Sequence, residues 1–407
     1  MKKIVYLSLF VCTLNLSAQT NNSPNSSSFK FDDKGFNFSF DNGAYEFGIN
    51  GFIQPNISVE KTKGIESINK FNVQRSFFIV SGKAVKEKVS FLVQTDFSTA
   101  DPLLDAWIAY HPYKNITITG GQKQTFVNNR EMTYREDKLQ FTDRSLLSKT
   151  LSKTGREFGL FIETKFKLTN TFAIAPMLAV TSGDGRNSFG ASSTDTDLGG
   201  VKIGGRLDIF PLGYFTEGND VFSADLAHEK TLKFVIGGAV SKNTGVSNAI
   251  GEGHGDFLLY GANGKNNLPD YSKVNIDFLL KYKGFSLLGE YANATASGLD
   301  LVFVDANATQ ILVPQEISEY LVLGNSYNFQ AGYVTKKGVS FDVRYETAKP
   351  EFELNPNSIL TDFNSYTLGL TKYFKNNNLK LQASFTNIDY AKAENTTLGQ
   401  LLFQIGF

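Results

Sequence analysis

From about residue 45 onward the chain alternates between apolar and polar positions. In residues 337–347, Val339, Phe341, Val343 and Tyr345 stand opposite Ser340, Asp342, Arg344 and Glu346. Residues 199–210 repeat this, with Val201, Ile203, Leu207 and Ile209 against Lys202, Arg206 and Asp208. The final stretch, 398–407, sets Leu401, Phe403, Ile405 and Phe407 against Gln400, Gln404 and Gly406, with Leu402 as the exception. A period of two marks strands with one apolar and one polar face. The pattern predicts sixteen of them, at 45–59, 70–86, 88–97, 104–111, 115–125, 155–168, 170–181, 199–210, 231–241, 271–283, 284–296, 325–336, 337–347, 363–374, 378–390 and 398–407. Most have the roughly 9–11 residues that cross an outer membrane at a tilt.

The connections alternate too. Short turns at 86–87, 111–114, 168–170, 283–284, 336–338 and 375–378 trade places with long segments at 126–154, 182–198, 242–270, 297–324 and 348–362. Outer-membrane barrels place short turns in the periplasm and long loops outside. Residues 211–230 depart from this rhythm as a long connection on the short-turn side, and nothing in their sequence suggests a role. Ahead of the strands, residues 20–35 read as a polar lead-in without fixed structure. Residues 36–45 read as a short hairpin turning at Asn42-Gly43, where both positions tolerate positive φ. The expected fold is all-β: a transmembrane antiparallel barrel of sixteen strands with an inward-folded constriction loop, its last strand pairing with its first. A charge on the lipid face near midplane costs about 2–4 kcal/mol, so the charged face should line the lumen. Sixteen strands leave that lumen too wide for side chains alone to fill, and a channel is expected.

Composition separates this barrel from a soluble β protein, whose strands can alternate in the same way. Lys2 and Lys3 precede an apolar run from Ile4 to Leu16, followed by Ser17-Ala18-Gln19. That is the layout of a secretory signal peptide cleaved after Ala18, and it points to the bacterial outer membrane and its lipid. The expected organisation is a signal peptide at 1–18, a lead-in and hairpin at 19–43, and the barrel at 44–407. Cleavage would remove Cys12, the sole cysteine, and with it any disulfide or thiol chemistry. No other apolar run approaches the roughly 18 residues of a spanning helix, and mean hydropathy is −0.18. Forty basic and forty acidic residues balance, so bulk charge calls for no nucleic-acid partner.

The densest polar stretch is the fifth predicted strand and the segment after it. Gln122-Lys123-Gln124, Arg130, Arg135, Lys138, Arg144, Lys149, Lys153 and Arg156 are interleaved with Glu131, Glu136, Asp137 and Asp143. Such a segment either folds into the lumen as a constriction or lies outside as a solvated, ion-paired loop. On the walls, Arg75, Asp96, Lys202, Arg206, Arg344 and Lys380 have lumen-facing parity. They form either a path for anions, which guanidinium groups capture and release, or a network of wall ion pairs. Catalysis finds little footing: His111, His228 and His254 are scattered, with no metal-binding spacing. Trp107 has polar-facing parity and reads as packed or interfacial. The glycine-rich runs at 183–185 and 251–255 lack a phosphate-loop lysine and read as turns. No cofactor is expected.

Three groups of residues resemble the phosphate-selective porin O and P family. The first comprises Gly51-Phe-Ile-Gln, residues 73–83 (VQRSFFIVSGK) and Gln94-Thr-Asp-Phe97. The second is residues 104–110 (LDAWIAY) with Gly120-Gly-Gln-Lys-Gln124. The third is Phe141-Thr-Asp-Arg-Ser-Leu146 followed by residues 155–160 (GREFGL). The likeness covers about residues 36–168. It implies a homotrimeric sixteen-stranded porin whose inward third loop and lumenal arginines conduct small anions. By matching position it assigns Arg75 and Asp96 to the second and third strands, Lys123 to the end of the fifth, and Arg144 and Arg156 to the loop and sixth strand. Gln74 departs from the family's second arginine, Gln124-Thr-Phe-Val replaces its usual loop start, and residues 242–270 hold only Lys242 and Lys265. Those departures bear on phosphate selectivity. The expectation is passive diffusion with a preference for small anions. The alternatives are an unselective or organic-solute pore, and an adhesin displaying Phe257, Tyr260 and Tyr271.

Overall fold

A computed structural model of the chain describes residues 27–32, 35–153, 155–186, 200–251, 253 and 255–407. The expected signal peptide, Cys12 and His254 lie outside the described residues. The strands are β1 (Ser28–Asp32), β2 (Gly35–Phe40), β3 (Tyr45–Thr62), β4 (Ile68–Ala84), β5 (Val89–Asp96), β6 (Leu103–Tyr113) and β7 (Ile116–Gln124). Then come β8 (Arg156–Thr164), extended by β9 (Phe166–Lys167), β10 (Ala173–Thr181), β11 (Lys202–Phe210), β12 (Lys233–Asn243), β13 (Asp270–Tyr282) and β14 (Phe285–Ser297). The chain ends with β15 (Gly324–Val334), β16 (Val339–Pro350), β17 (Phe363–Lys375), β18 (Leu379–Tyr390) and β19 (Thr396–Gly406). Each wall strand pairs antiparallel with the next, and β19 returns to β3, from Thr396 opposite Thr62 to Gly406 opposite Phe52. Counting β8 and β9 as one, β3 to β19 form a closed barrel of sixteen strands.

Side-chain parity sorts the two faces of the wall. On β16, Phe341 and Val343 are 59% and 51% exposed, while Asp342 and Glu346 between and beyond them are buried. On β11, Ile203 and Leu207 are exposed, whereas Lys202, Arg206 and Asp208 are buried. The apolar face is therefore the outer one and the polar face the inner one, as a lipid-embedded barrel requires. Leu402, the exception in the last strand, is fully buried on the inner face. So are Phe52 and Phe77, whose rings lie 4.4 Å apart and pack with Leu104. Pro55, which has no N–H to offer a ladder, sits where the β3–β4 register shifts.

Two segments are more ordered than their sequence suggested. The polar lead-in contains β1, which pairs with β2 from Ser28 opposite Ser39 to Asp32 opposite Gly35. The hairpin between β2 and β3 turns through Asn42 (φ 53°) and Gly43 (φ 82°), as the dipeptide predicts. The connection between β11 and β12 is an anchored structure at the short-turn end. Lys281 Nζ donates to the carbonyls of Asn219 and Phe222, at 2.5 and 2.7 Å. Asn219 Nδ2 donates to both Asp225 and Glu229, and Asp225 accepts from the backbone N–H of Gly284 at 2.7 Å. Ala224 and Leu226 pack against Val334 and Tyr373. At the other end the long connections share a core in which Val246, Leu259, Val302, Leu312, Leu321 and Leu360 are buried. Tyr271 is buried there too, donating to the Val322 carbonyl at 2.8 Å, and the Phe257 ring packs against that of Tyr320 at a 60° tilt. Two of the aromatics that an adhesin would display are thus folded in.

The wall gives a direct test of its orientation. Leu368, at the middle of β17 and 62% exposed, sits where lipid should be deepest. Leu368→Arg should cost about 2–4 kcal/mol of barrel stability, whereas Phe407→Arg, at the strand end, should cost only about 0–1 kcal/mol. Urea unfolding in phospholipid vesicles measures both, and equal losses would contradict the placement of the apolar belt.

Candidate functional site

The segment between β7 and β8 is short of regular structure but dense in bonds to the wall. It contains two 3₁₀ turns, Arg130–Thr133 and Glu136–Lys138, and one short helix, α1 (Leu146–Leu151). Ser145 caps α1 by accepting from the Ser148 N–H, which is why the chain re-forms a helix there. Leu147 and Leu151 tuck α1 into the core shared by the long connections. A buried polar segment must find partners for its backbone and charges, and here the wall provides them. Arg130 Nε donates to Asp277 at 2.7 Å, and its Nη2 donates to Asp208 at 2.8 Å. The Glu131 N–H donates to Glu290 at 2.6 Å, and the Glu131 carboxylate accepts from Gln330 at 2.8 Å. Gln140 donates to Asp342, Thr142 bonds with Ser384, and the Leu146 N–H donates to Glu346. Lys380 Nζ donates to the carbonyl of Asp137 at 2.9 Å, and Lys273 Nζ to that of Leu151 at 2.8 Å. The partners lie on β11, two strands from β8, and on β13, β14, β15, β16 and β18, farther round the barrel.

Ion pairs hold most of the basic residues singled out from the sequence. Arg75 pairs with Asp143 at 2.7 Å and also donates to Gln54. Arg144 donates to Glu136 and to the carbonyls of Glu131 and Tyr134. Arg156 reaches Asp105 at 3.1 Å and Glu136 at 3.3 Å. Arg135 pairs with Asp137 at 2.6 Å and lies over the Phe52 ring. Lys123 pairs with Glu163 at 2.5 Å, and Lys202 pairs with Glu157. Arg206 bonds to Asp208 and Asp277, and Arg344 pairs with Glu346 at 3.0 Å. Asp96 accepts from the Ser76 and Ser98 N–H groups and from Ser98 Oγ. On the wall, Lys202, Arg206 and Arg344 thus each face a carboxylate of the wall itself, while Arg130 of the segment is paired with Asp208 and Asp277.

Several of the named residues line cavities beside this segment. Arg75, Asp96, Arg144 and Arg156 line a cavity of about 640 Å³ at the long-connection end, together with Glu136, Lys153, Asp184 and Arg186. Arg130 and Arg206 line another, of about 400 Å³, with Tyr134, Asp208, Phe210 and Phe215 at the short-turn end. Arg135 lines a third beside Phe52 and Phe407. Burial alone would raise the Glu136 carboxyl, yet the guanidinium groups of Arg156, Arg144 and Arg75 hold it well below the usual carboxylate range. Asp143 is likewise held low by Lys149 and Arg75 against the effect of burial.

Sequence reading missed Arg186, which follows the Gly183-Asp184-Gly185 turn. Half-buried, it is pushed below its ordinary value by burial and by the neighbouring Arg156 guanidinium. Among the described residues neither Arg186 nor Lys153 has an ion-pair or hydrogen-bond partner. The usable signal was the run of charges in the long segments, but which of them share a cavity depends on how those segments cross the barrel.

No protein-family model matches the sequence, and no curated protein matches it. Solved structures do. The outer membrane channel DcaP of Acinetobacter baumannii is 11% identical, with a TM-score of 0.52 over 89% of this chain and 98% of that one. Outer-membrane expressed OmpT of Vibrio cholerae is 10% identical, with a TM-score of 0.50 over 89% of this chain and 98% of that one. An in-vitro folded trimer form of the same Vibrio protein gives a TM-score of 0.50 at 10% identity, covering 89% of this chain and 99% of that one. The fold is that of an outer-membrane porin. At such identities the likeness lies in the barrel and its strand order, so the porin lumen described above has to be read from this chain's own side chains.

The depressed carboxyls set a pH dependence. A carboxylate with a lowered folded pKa contributes stability that is fully present above its unfolded value, about 4, and is lost as pH falls toward the folded one. Hydrogen-exchange protection across residues 126–153, taken relative to the intrinsic rate at each pH, should therefore hold from neutral pH down to about pH 4 and fall below it. Glu136→Gln strips Arg144 and Arg156 of a shared partner and should loosen the segment at neutral pH, by about 3–5 kcal/mol if the arginines stay buried. Unchanged protection in that variant would show that Glu136 does not hold the segment.

Proposed function

We propose that the protein is a passive diffusion pore of the bacterial outer membrane, in which residues 125–155 cross the lumen as its constriction. The bonds from that segment to strands far round the barrel support the crossing. Passage is then confined to the space between the segment and the wall, and no bound cofactor or chemical step is involved.

Within that pore we propose a preference for small anions. The carrying observation is the cavity at the long-connection end, where unpartnered Lys153 and Arg186 join Arg75, Arg144 and Arg156. A unit charge about 8 Å away at an effective dielectric of about 20 contributes roughly 2 kcal/mol to an ion before desolvation is counted. The resemblance to phosphate-selective porins agrees in sign. Lys153 and Arg186 lie outside the stretches that carry it. The competing reading is a pore without charge preference, favoured by the full pairing of Arg130, Lys202, Arg206 and Arg344.

Neutralising the two unpartnered cations leaves the wall pairs intact and so separates these readings. In planar bilayers under a salt gradient, the Lys153→Gln/Arg186→Gln double variant should lower the anion-to-cation permeability ratio by roughly two- to fivefold, well under the full Coulomb effect because of screening. Arg206→Gln, made separately, should disturb the fold more than the selectivity. A double variant with the original reversal potential would hand the case to the unselective pore.

We also propose that three copies assemble, as the Vibrio protein does in its trimer form. Light scattering in mild detergent should give about three times the 45.0 kDa chain mass after detergent is subtracted. A single-chain mass would remove the trimer and leave the barrel standing.

A further inference from the structure

The barrel's closing strand leaves part of β3 uncovered. The Phe407 and Gly51 backbones exchange N–H···O bonds at 3.0 Å, and there β19 ends. From Ile49 back to Tyr45 the same edge of β3 is taken by β2, and β2 in turn carries β1. No strand covers the far edge of β1 among the described residues. This two-strand addition hangs from the short-turn rim and has strict parity. Ser28, Lys30, Asp32, Asn37 and Ser39 occupy one face; Phe29, Phe31, Phe36, Phe38 and Phe40 occupy the other.

The phenylalanine face continues the outer face of the wall, residue by residue. Phe29 is opposite Phe38, Phe38 opposite Phe47, Phe47 opposite Gly82, Gly82 opposite Phe91, and Phe91 opposite Ile108, which is 64% exposed. Successive rings along this row stand 5.1, 6.1 and 6.4 Å apart, the last pair meeting across Gly82. A Cβ at Gly82 would come within 2.4 Å of the Phe91 ring, so the glycine is what lets the aromatic row pass unbroken. A second row runs parallel through Phe31, Phe36, Ile49, Val80 and Val93. Phe29 and Phe31 nonetheless remain 60% and 58% exposed.

We propose that β1 and β2 form a lipid-docking flap: their phenylalanine face lies in the phospholipid leaflet at the short-turn rim, extending the barrel's aromatic girdle beyond the closed wall. The inference rests on the outer-membrane reading. Register continuity with the wall's apolar face selects lipid as the occupant, because a sheet carries its lipid-facing side across strands without a break. Aromatic side chains suit that depth, where an apolar ring meets the headgroup boundary. The polar face, with Lys30 paired to Asp32 at 2.8 Å, then turns toward water.

The test uses tryptophan as a depth probe. In the full chain carrying Trp107→Phe, to remove the sole native tryptophan, Phe29→Trp or Phe31→Trp is introduced, with Leu368→Trp as the wall control. Each protein is reconstituted in phosphatidylcholine vesicles with or without brominated acyl chains. The flap probes should lose emission in brominated lipid to an extent comparable with the control, and should resist aqueous acrylamide. Quenching by acrylamide and not by bromolipid would overturn the proposal and place the face in water. Protection from both quenchers would overturn it in favour of a second copy of the chain covering the face. If the Leu368→Trp control itself escapes bromolipid, the membrane reading fails, and with it the ground for this inference.

Discussion

Everything in this molecule depends on the pairing of β19 with β3. A strand in hydrocarbon cannot leave its N–H and C=O groups unpaired, so a spanning sheet must close on itself. The closing ladder, from Thr396 opposite Thr62 to Gly406 opposite Phe52, satisfies that demand across most of β3. Closure also divides the side chains into two populations with different solvents. One face is committed to apolar residues, and the other collects nearly all the buried charge.

That collected charge is what the segment between β7 and β8 bonds to. A sixteen-stranded wall encloses more space than its own side chains fill, and its inner face carries Asp208, Asp277, Glu290, Asp342 and Glu346 beside Lys202, Arg206 and Arg344. Residues 125–155 meet these groups with complementary partners, Arg130 for Asp208 and Asp277, and Gln140 for Asp342. Desolvating a charge without a partner costs several kcal/mol, so the wall and the segment hold each other in place. The same logic leaves a remainder. Where the segment runs out near residue 153, the cavity at the long-connection end holds Lys153 and Arg186, which form no ion pair among the described residues. In the proposed pore, selectivity and stability would therefore draw on different members of one basic set.

Much of the fold was legible. Strands with alternate burial print a period of two into the sequence, and turns such as Lys283-Gly284, with φ of 49° and 92°, print their own chemistry. The observed strand limits stay within a few residues of those expected. β1 was missed because Ser28–Asp32 is embedded in a serine- and asparagine-rich stretch, and a five-residue alternation there does not stand out. Its order comes from pairing with β2, a contact that no local propensity encodes. The connection at 211–230 was legible as an anomaly but not as a structure. It is held by Asn219 and Asp225 meeting Lys281 and the Gly284 N–H, about 60 residues away, while Glu229 ties Asn219 to Thr216 within the connection.

By itself the sequence determined the strand count, the alternation of connection lengths, and which side chains face in or out, because these follow from a local period. It also marked the charged segment after β7 as the place where chemistry concentrates. Only the tertiary structure decided which charges cancel. Arg75 lies far from Arg144 and Arg156 along the chain, yet all three guanidinium groups act on Glu136, while Arg130 and Arg206 share Asp208 and Asp277 elsewhere in the lumen. Coulomb energy depends on distance in space and on desolvation, and neither is a function of separation along the chain. The identity of the residues was therefore visible from the start, but their pairing, and with it the lack of an ion-pair partner for Lys153 and Arg186 among the described residues, emerged only in the tertiary structure.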